Sequence, residues 1–238
     1  MTILWEKKID ISQPKNRPLV ILSCAISLDG KLASEEGDTK LSSYEDKVEV
    51  HKLRSQVDAI MVGVNTVLKD DPHLTISDKY YKSEKHPIRV IVDSKARTPP
   101  NAKCITYRSH VPTIIAVTNL APREKIEELE KAGAKVLIVN EGNKVDLKKL
   151  LRILYEKFEV SKLMVEGGGK IIGSLLKERL IDLVRISITP VILGGIKKAV
   201  NLAHDVFWGK IDEAPWIDIF KIELVDYNLV IHGKVVYR

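Results

Sequence analysis

The sequence has little of several features that mark specialised classes of protein. Only two of its 238 residues are cysteines, Cys24 and Cys104, and they form no Cys-x-x-Cys motif and no Cys/His cluster. The sequence therefore predicts neither a disulfide framework nor a structural zinc site. The N-terminal segment MTILWEKKID has no long apolar run, so we expect no signal peptide and no membrane span there, and a cytoplasmic location.

A concentrated block of positive charge is also absent. The net charge of +6 and the pI near 9.1 are typical of proteins that bind nucleic acid or phosphorylated small molecules. The lysines, however, alternate with acidic residues, as in PREKIEELEKAGAK, and aromatic residues make up only 5% of the chain. A solvated basic surface is therefore favoured over a nucleic-acid partner.

Apolar runs of strand length, alternating with helical patterns, are abundant. They predict strands at residues 19–28, 59–63, 88–93, 112–118, 135–139, 162–166 and 183–193. Continuous apolar runs separated by helices are typical of a mainly parallel central sheet with helices on both faces. The C-terminal segment indicates an antiparallel hairpin, with a phase slip at Ile219–Phe220 that predicts a β-bulge. We therefore expect an α/β fold, with one domain over residues 1–238 and an N-terminal extension at 1–16.

Two helix starts are predicted from polar residues. Ser42 and Glu45 have the spacing of a capping box ahead of a helix at about 43–57. His51 is expected on the surface of that helix. Asp146 is expected to cap a later helix through its carboxylate.

Polar residues follow several of the predicted strands, and ligands of open α/β sheets bind at the carboxyl ends of strands. After strand 162–166 come Gly167, Gly168 and Gly169, then a helix. Unpaired N–H groups at such a helix start suit a pyrophosphate. Position 172 is Ile, so this is not the G-x-G-x-x-G fingerprint, and a simple tight turn is an equal alternative.

Two further segments offer polar side chains at strand ends. In GVNTVLKDDPHLT, residues 63–75, Thr66 and Asp70 are four apart and share one face of a helical turn, where they can hold a ribose or an amide. The alternative there is a self-capped loop. In SLDGK, the ammonium of Lys31 can reach a ligand, but a solvated surface lysine is the alternative.

Four motifs in order carry a family resemblance. SLDGK, GVNTVLKDDPHLT, IRVIVDS and VEGGGKIIGSLL resemble the reductase family of riboflavin biosynthesis over residues 17–236. The resemblance implies the fold of dihydrofolate reductase. Many bacterial members are fused to a zinc deaminase with H-x-E and P-C-x-x-C motifs, which this sequence lacks, so the chain is similar to the stand-alone archaeal and fungal type.

The resemblance implies an activity and a set of partners. The activity is the reduction of the ribosylamino group of 2,5-diamino-6-ribosylamino-4(3H)-pyrimidinone 5′-phosphate to ribitylamino, with NADPH as the cofactor and NADH as the alternative. A homodimer is implied, with no metal, nucleic acid or membrane. The implied cofactor-binding residues are Thr66, Asp70, Asp93, Ser94, Gly167, Gly168, Gly169 and Lys170. The implied substrate-binding residues are Lys31, Thr39, Arg54, Leu74 and Glu166.

The chemistry assigns roles to three of these residues. Hydride can reach C1′ only after the ribosylamine ring opens to an imine. A carboxylate, that of Glu166 or Asp70, is expected to stabilise the cationic iminium. Lys31 is expected to bond the sugar hydroxyls or to carry a proton to O4′. The bacterial pattern has an arginine near Ser77 that is absent here, so Arg54 is expected to hold the substrate phosphate, with help from Lys79 or Lys82.

Two alternatives remain, one a reductase of the same fold and the other a binding protein from another class of function. A dihydrofolate-type or other pteridine reductase needs a buried acid on the helix after the first strand, whereas that helix carries Glu45, Asp46 and Glu49 in a polar stretch. A non-enzymatic nucleotide-binding or RNA-binding module would show steep salt dependence, and the scattered charge disfavours it.

Overall fold

The protein consists of alternating strands and helices, which a computed structural model describes for residues 1–195 and 200–238. The strands are β1 Thr2–Glu6, β2 Leu19–Ser27, β3 Lys31–Ala33, β4 Ala59–Gly63, β5 Ile88–Val92, β6 Thr113–Thr118, β7 Lys135–Asn140, β8 Lys162–Gly167, β9 Leu183–Thr189, β10 Val200–Asn201, β11 Trp216–Val225 and β12 Asn228–Val236. The helices are α1 Tyr44–Ser55, α2 Val64–Asp70, α3 Lys103–Thr106, α4 Arg123–Lys131, α5 Leu147–Phe158 and α6 Gly169–Lys177. Within the described ranges, none of these helices has the length and apolar character needed to cross a membrane.

The chain forms two compact units. The first unit comprises Met1–Gln13, Leu19–Lys52 and Gly169–Arg238, and the second comprises Pro14–Pro18 and Leu53–Gly168. The last turn of α1, from Leu53 onward, therefore belongs to the second unit. The single domain over residues 1–238 stays a prediction.

A parallel sheet forms the centre of the second unit, in the strand order β8-β4-β5-β6-β7. Consecutive residues of β4 and β6 are buried, and because neighbouring side chains point to opposite faces, both faces of this sheet are covered. Gly63 pairs with Val92, and Val62 pairs with Gly167. The carboxyl ends of β4, β5 and β8 therefore lie at one edge of the sheet.

The first unit contains a mixed sheet in the order β1-β11-β12-β9-β2, in which only β9 and β2 run parallel. The predicted C-terminal hairpin is confirmed. Its bulge is confirmed as well, because the register slips between Ile219 and Lys221 and leaves Phe220 as the extra residue. Strand β1, inside the predicted N-terminal extension, pairs with β11 and was missed from the sequence.

The helix starts agree with the sequence in one case and differ in the other. Asp146 caps α5 as predicted, accepting a hydrogen bond from the Lys149 N–H at 2.9 Å. For α1 the capping residue is Ser43, whose hydroxyl accepts from the Asp46 N–H at 3.1 Å, so the predicted Ser42 box is wrong by one residue. The surface position predicted for His51 is also wrong: it is 8% exposed, because α1 buries polar residues rather than an apolar stripe.

Two glycines of α6 allow the backbone of residues 200–206 to approach closely. Gly169 and Gly173 are four residues apart and share a helix face. The Gly169 carbonyl accepts from the His204 N–H at 3.0 Å. A Cβ atom at Gly169 would lie 2.6 Å from the Asn201 carbonyl oxygen, and one at Gly173 would overlap the His204 carbonyl oxygen.

Replacing Gly173 by alanine is expected to destabilise the protein. Alanine favours a helix over glycine, but the forced shift of residues 200–206 should outweigh this and cost about 1–3 kcal/mol. The free energy of unfolding in denaturant measures the change. Gly209→Ala is the matched control, since its Cβ would meet only the Glu213 Oε2 atom at 3.6 Å. Equal stability of the two variants would contradict this packing role.

Candidate active site

Most of the predicted site residues lie at the carboxyl edge of the parallel sheet. Helix α2 follows β4 directly, Asp93 and Ser94 follow β5, Glu166 and Gly167 end β8, and Gly168 follows it. The second unit holds Arg54, Thr66, Asp70, Leu74, Asp93, Ser94, Glu166, Gly167 and Gly168. The first unit holds Lys31, Thr39, Gly169 and Lys170.

Glu166 occupies a β-bulge in β8. Met61 pairs with Val165 and Val62 with Gly167, so Glu166 is the extra residue in the register. A bulge re-aims a side chain and is frequent beside active sites. The Glu166 carboxylate meets Arg54 in a bidentate pair, with Nε to Oε1 and Nη2 to Oε2 both at 2.6 Å. The two side chains are only 12% and 15% exposed, respectively, so the pair is largely shielded from solvent screening.

Arg54 makes a third bond within the second unit. Its Nη1 donates to the Thr75 carbonyl oxygen at 2.5 Å. A guanidinium has five N–H donors, and these bonds use three of them. One further N–H on Nη1 and one on Nη2 can donate to a phosphate or to sugar oxygens. The sequence predicted both residues separately but not that they hold each other.

The segment that presents the Thr75 carbonyl is buried and strained. Leu74 and Thr75 are each 2% exposed. Leu74 has a φ of 48°, a left-handed conformation that costs a non-glycine residue about 1–3 kcal/mol and persists only where the surroundings hold it. The side chain of Leu74 is therefore buried, and its contact with the substrate stays a prediction. Thr75 was missed, although it ends the GVNTVLKDDPHLT motif.

The two adjacent aspartates at the end of helix α2, Asp70 and Asp71, have different surroundings. Asp71 ends the helix in a left-handed conformation, and its Oδ1 accepts from the Lys103 N–H at 2.8 Å. Asp71, rather than Asp70, therefore anchors the loop. Asp70 is exposed, yet the surrounding protein partly desolvates its carboxyl and raises its pKa, with Lys69 opposing the rise.

Asp93 and Ser94 hold the loop after β5. The buried Asp93 Oδ2 accepts from the Thr98 N–H at 2.7 Å and from the Thr98 hydroxyl at 2.8 Å. The Ser94 hydroxyl oxygen accepts from the Val145 N–H at 3.2 Å. Both side chains thus take part in internal bonds, and their contact with a cofactor stays a prediction.

Among the predicted residues of the first unit, Gly169 is buried and Lys31 is half-buried, whereas Thr39 and Lys170 are exposed. The Lys31 ammonium donates to the Asn201 side-chain oxygen at 2.7 Å, and the Lys170 ammonium lies 3.1 Å from the Asp205 carboxylate. Residues 200–205 therefore engage two of the cationic side chains that the sequence singled out.

Helix α1 contains one buried acid, whereas its polar stretch predicted a poor fit to a buried acid. Asp46 is fully buried, with its Oδ1 2.6 Å from the Arg185 Nη2. The position required by a pteridine reductase is thus occupied by a carboxylate. Arg185 binds Oδ1 of this carboxylate, and turnover with dihydrofolate tests the pteridine alternative.

Comparison with known proteins decides the family. The model of the RibD C-terminal domain matches residues 18–205. The chain belongs to this family. The 2,5-diamino-6-ribosylamino-4(3H)-pyrimidinone 5′-phosphate reductase of Methanothermobacter thermautotrophicus is 44% identical over 179 residues, which cover 75% of this chain and 81% of that protein. The protein of the same name from Archaeoglobus fulgidus is 42% identical over 187 residues, covering 75% and 83%.

A solved structure supports the fold independently. The riboflavin biosynthesis reductase Rib7 of Saccharomyces cerevisiae superposes with a TM-score of 0.70 at 24% identity, over 95% of this chain and 93% of that one. At this identity the likeness shows the fold alone. The predicted family and the predicted dihydrofolate-reductase-like α/β fold are both confirmed.

Proposed function

We propose that this RibD-family protein reduces 2,5-diamino-6-ribosylamino-4(3H)-pyrimidinone 5′-phosphate to its ribitylamino form. The observation that carries the proposal is the Arg54–Glu166 pair, set by a bulge at the carboxyl end of β8. Two archaeal relatives above 40% identity bear the name of this reductase, which supports the same substrate. Enzymes of this reaction class take their hydride from a nicotinamide cofactor, for which we propose NADPH.

The pair has chemistry suited to an opening sugar. Opening breaks the C1′–O4′ bond, places a proton on O4′ and leaves a cationic C1′=N group. A carboxylate has about four lone-pair sites, and Arg54 uses two of those on Glu166. The other two can face the cationic C1′=N group and stabilise it as it forms. The further N–H donors of Arg54 would hold the phosphate or sugar oxygens, and Lys31 would supply the proton to O4′.

Cofactor binding is assigned to the residues around the glycine turn and on α2. When bound, the nicotinamide supplies the hydride that adds to C1′ and leaves a neutral amine. Gly167 and Gly168 have φ values of 144° and 87°, which favour glycine, and their N–H groups would face the pyrophosphate. Thr66 and Asp70 would orient the nicotinamide half, and Asp93, Ser94, Gly169 and Lys170 would complete the site.

Thr66→Val and Asp70→Asn are expected to weaken NADPH binding. Each substitution removes one hydrogen-bonding group from the face of α2 that is assigned to the cofactor. The loss of one such hydrogen bond should raise the dissociation constant of NADPH about tenfold. Fluorescence titration with NADPH measures it. Leu68→Ala, at an exposed position of the same helix, is the control. An unchanged dissociation constant in both test variants would remove α2 from the cofactor site.

The substrate assignment is tested by comparing turnover. NADPH oxidation should be rapid with the ribosylaminopyrimidine phosphate and absent with dihydrofolate, and NADH serves as the comparison for cofactor preference. The deaminated pyrimidine analogue decides whether reduction precedes deamination. Oxidation with dihydrofolate alone would favour the pteridine alternative. The homodimer stays a prediction.

A further inference from the structure

A continuous set of hydrogen bonds in the second unit leads from the surface to Arg54. The Asp78 carboxylate accepts from Arg108 Nη2 at 2.9 Å, and Arg108 Nη1 contacts His86 Nε2. His86 Nδ1 lies 2.9 Å from the Thr75 hydroxyl oxygen, and the Thr75 carbonyl accepts from Arg54. We call this set the Arg108 relay; it comprises Asp78, Arg108, His86, Thr75, Arg54 and Glu166.

The relay fixes the protonation state of His86. A guanidinium can only donate, so His86 Nε2 must carry a lone pair to accept from Arg108. The single ring proton then lies on Nδ1 and donates to the Thr75 hydroxyl oxygen. Only the neutral imidazole in this tautomer completes both bonds.

Arg108 is itself held in place by the interior. The fully buried Arg89 donates to the Cys104 carbonyl at 2.8 Å and to the Tyr107 carbonyl at 2.7 Å. These bonds fix the backbone just before Arg108. The relay is therefore anchored at one end by a buried arginine and at the other by the bidentate pair.

We propose that His86 and Arg108 are positioning residues for the reduction. Through Thr75 they hold Arg54, and with it Glu166, in the orientation that receives the substrate. The inference rests on the proposed function. Neither residue lies in the four motifs that carry the family resemblance, so it adds two residues to the machinery of this chain.

The strained backbone at Leu74 explains why such support is needed. Its left-handed conformation directly precedes Thr75, whose carbonyl anchors Arg54. Without the His86 bond to the Thr75 side chain, the segment can relax and shift the carbonyl. A displacement of about 1 Å at a reacting group costs on the order of a hundredfold in rate.

The relay also predicts a pH dependence. The charged and titratable groups that face His86 are Arg108 and His110 from residues 102–111, Arg89 from β5, and Asp78. Burial, followed by Arg108, lowers the pKa of His86, with Asp78 opposing. Because its pKa is lowered, His86 is neutral at every pH above the ordinary histidine pKa of about 6.5. It loses the neutral form only as the pH falls through the lower pKa of the folded state. An acidic limb in kcat/KM should therefore appear below about pH 6.5.

His86→Ala should lower kcat/KM for the pyrimidine phosphate by about tenfold to a hundredfold, with the NADPH dissociation constant unchanged. His110→Ala is the matched control, because this exposed histidine lies 6.5 Å from His86 without a bond in the relay. Thr75→Val removes the hydroxyl but keeps the carbonyl and serves as the second variant if His86→Ala folds poorly. His86→Asn keeps a donor for Thr75 but does not titrate, so it should retain more activity and lose the acidic limb.

A double-mutant cycle with Arg54→Lys separates positioning from a purely structural role. In the Arg54→Lys background, His86→Ala should have little further effect on kcat/KM. If His86→Ala and Arg54→Lys lowered kcat/KM independently, so that their effects multiplied, the relay would be overturned. It would also be overturned if the His86→Ala and Thr75→Val variants each folded and kept the wild-type kcat/KM. Wild-type protein that does not oxidise NADPH with the pyrimidine phosphate would instead overturn the proposed function. If the wild type turns over the substrate and the variants have the same kcat/KM, the relay is overturned but the proposed function is not.

Discussion

Replacing Glu166 by glutamine is expected to lower kcat by about two to three orders of magnitude, with little change in NADPH binding. Glutamine keeps the size of the side chain but removes the charge that would stabilise the cationic C1′=N group. It also offers one oxygen instead of two, so the bidentate grip on Arg54 is lost. Steady-state kinetics and NADPH titration separate the loss of rate from a loss of cofactor.

The matched control for this variant is Glu130→Gln, an exposed glutamate on α4 of the same unit. It removes the same charge without touching the edge of the sheet. A Glu166→Gln protein with kcat within about threefold of the wild type would show that its charge is not used at the reacting sugar.

Replacing Asp46 by alanine should destabilise the fold by about 3–5 kcal/mol, the usual effect of leaving a buried charge without its partner. Arg185, only 5% exposed, would keep its charge in the interior. Chemical denaturation measures the free energy of unfolding. The double variant Asp46→Leu with Arg185→Met removes both charges and should recover most of the loss, because apolar replacements of buried pairs are often neutral. A single variant destabilised by less than about 1 kcal/mol would contradict this account of the pair.

The sequence was sufficient for much of the fold because the strands of the second unit are buried on both faces. Such strands appear as continuous apolar runs, as in β4 and β6. The bulge at Phe220 was visible because it shifts the phase of an alternating strand. Strand β1 was not visible, since all five of its residues are exposed and leave no pattern of burial.

The sequence located candidate residues better than it predicted the contacts between them. The family resemblance located Arg54 and Glu166, but a contact between residues 112 apart in the chain leaves no local periodicity. The bulge at Glu166 was hidden because one extra residue in a continuous apolar run changes no alternation. Asp93 shows the same limit, since its position at a strand end predicted a cofactor contact but gave no sign of the bonds that its carboxylate accepts from Thr98.

The role of His86 and Arg108 could not be predicted from the sequence, for a related reason. Both lie outside helices and strands, and their importance comes from what Thr75 and Arg89 place beside them. A histidine or arginine in a loop is usually solvated, so residue type alone predicts nothing specific. Only the three-dimensional contacts connect them to the Arg54–Glu166 pair.

Transfer of deuterium from NADPH labelled at the nicotinamide C4 is the most direct test of the whole account. Wild-type protein, labelled NADPH and the ribosylaminopyrimidine phosphate should yield a ribitylamino product that carries deuterium at C1′, detected by mass spectrometry and NMR. Label on the pyrimidine ring, or no oxidation of NADPH at all, would contradict the assignment of this chain as the sugar-reducing enzyme.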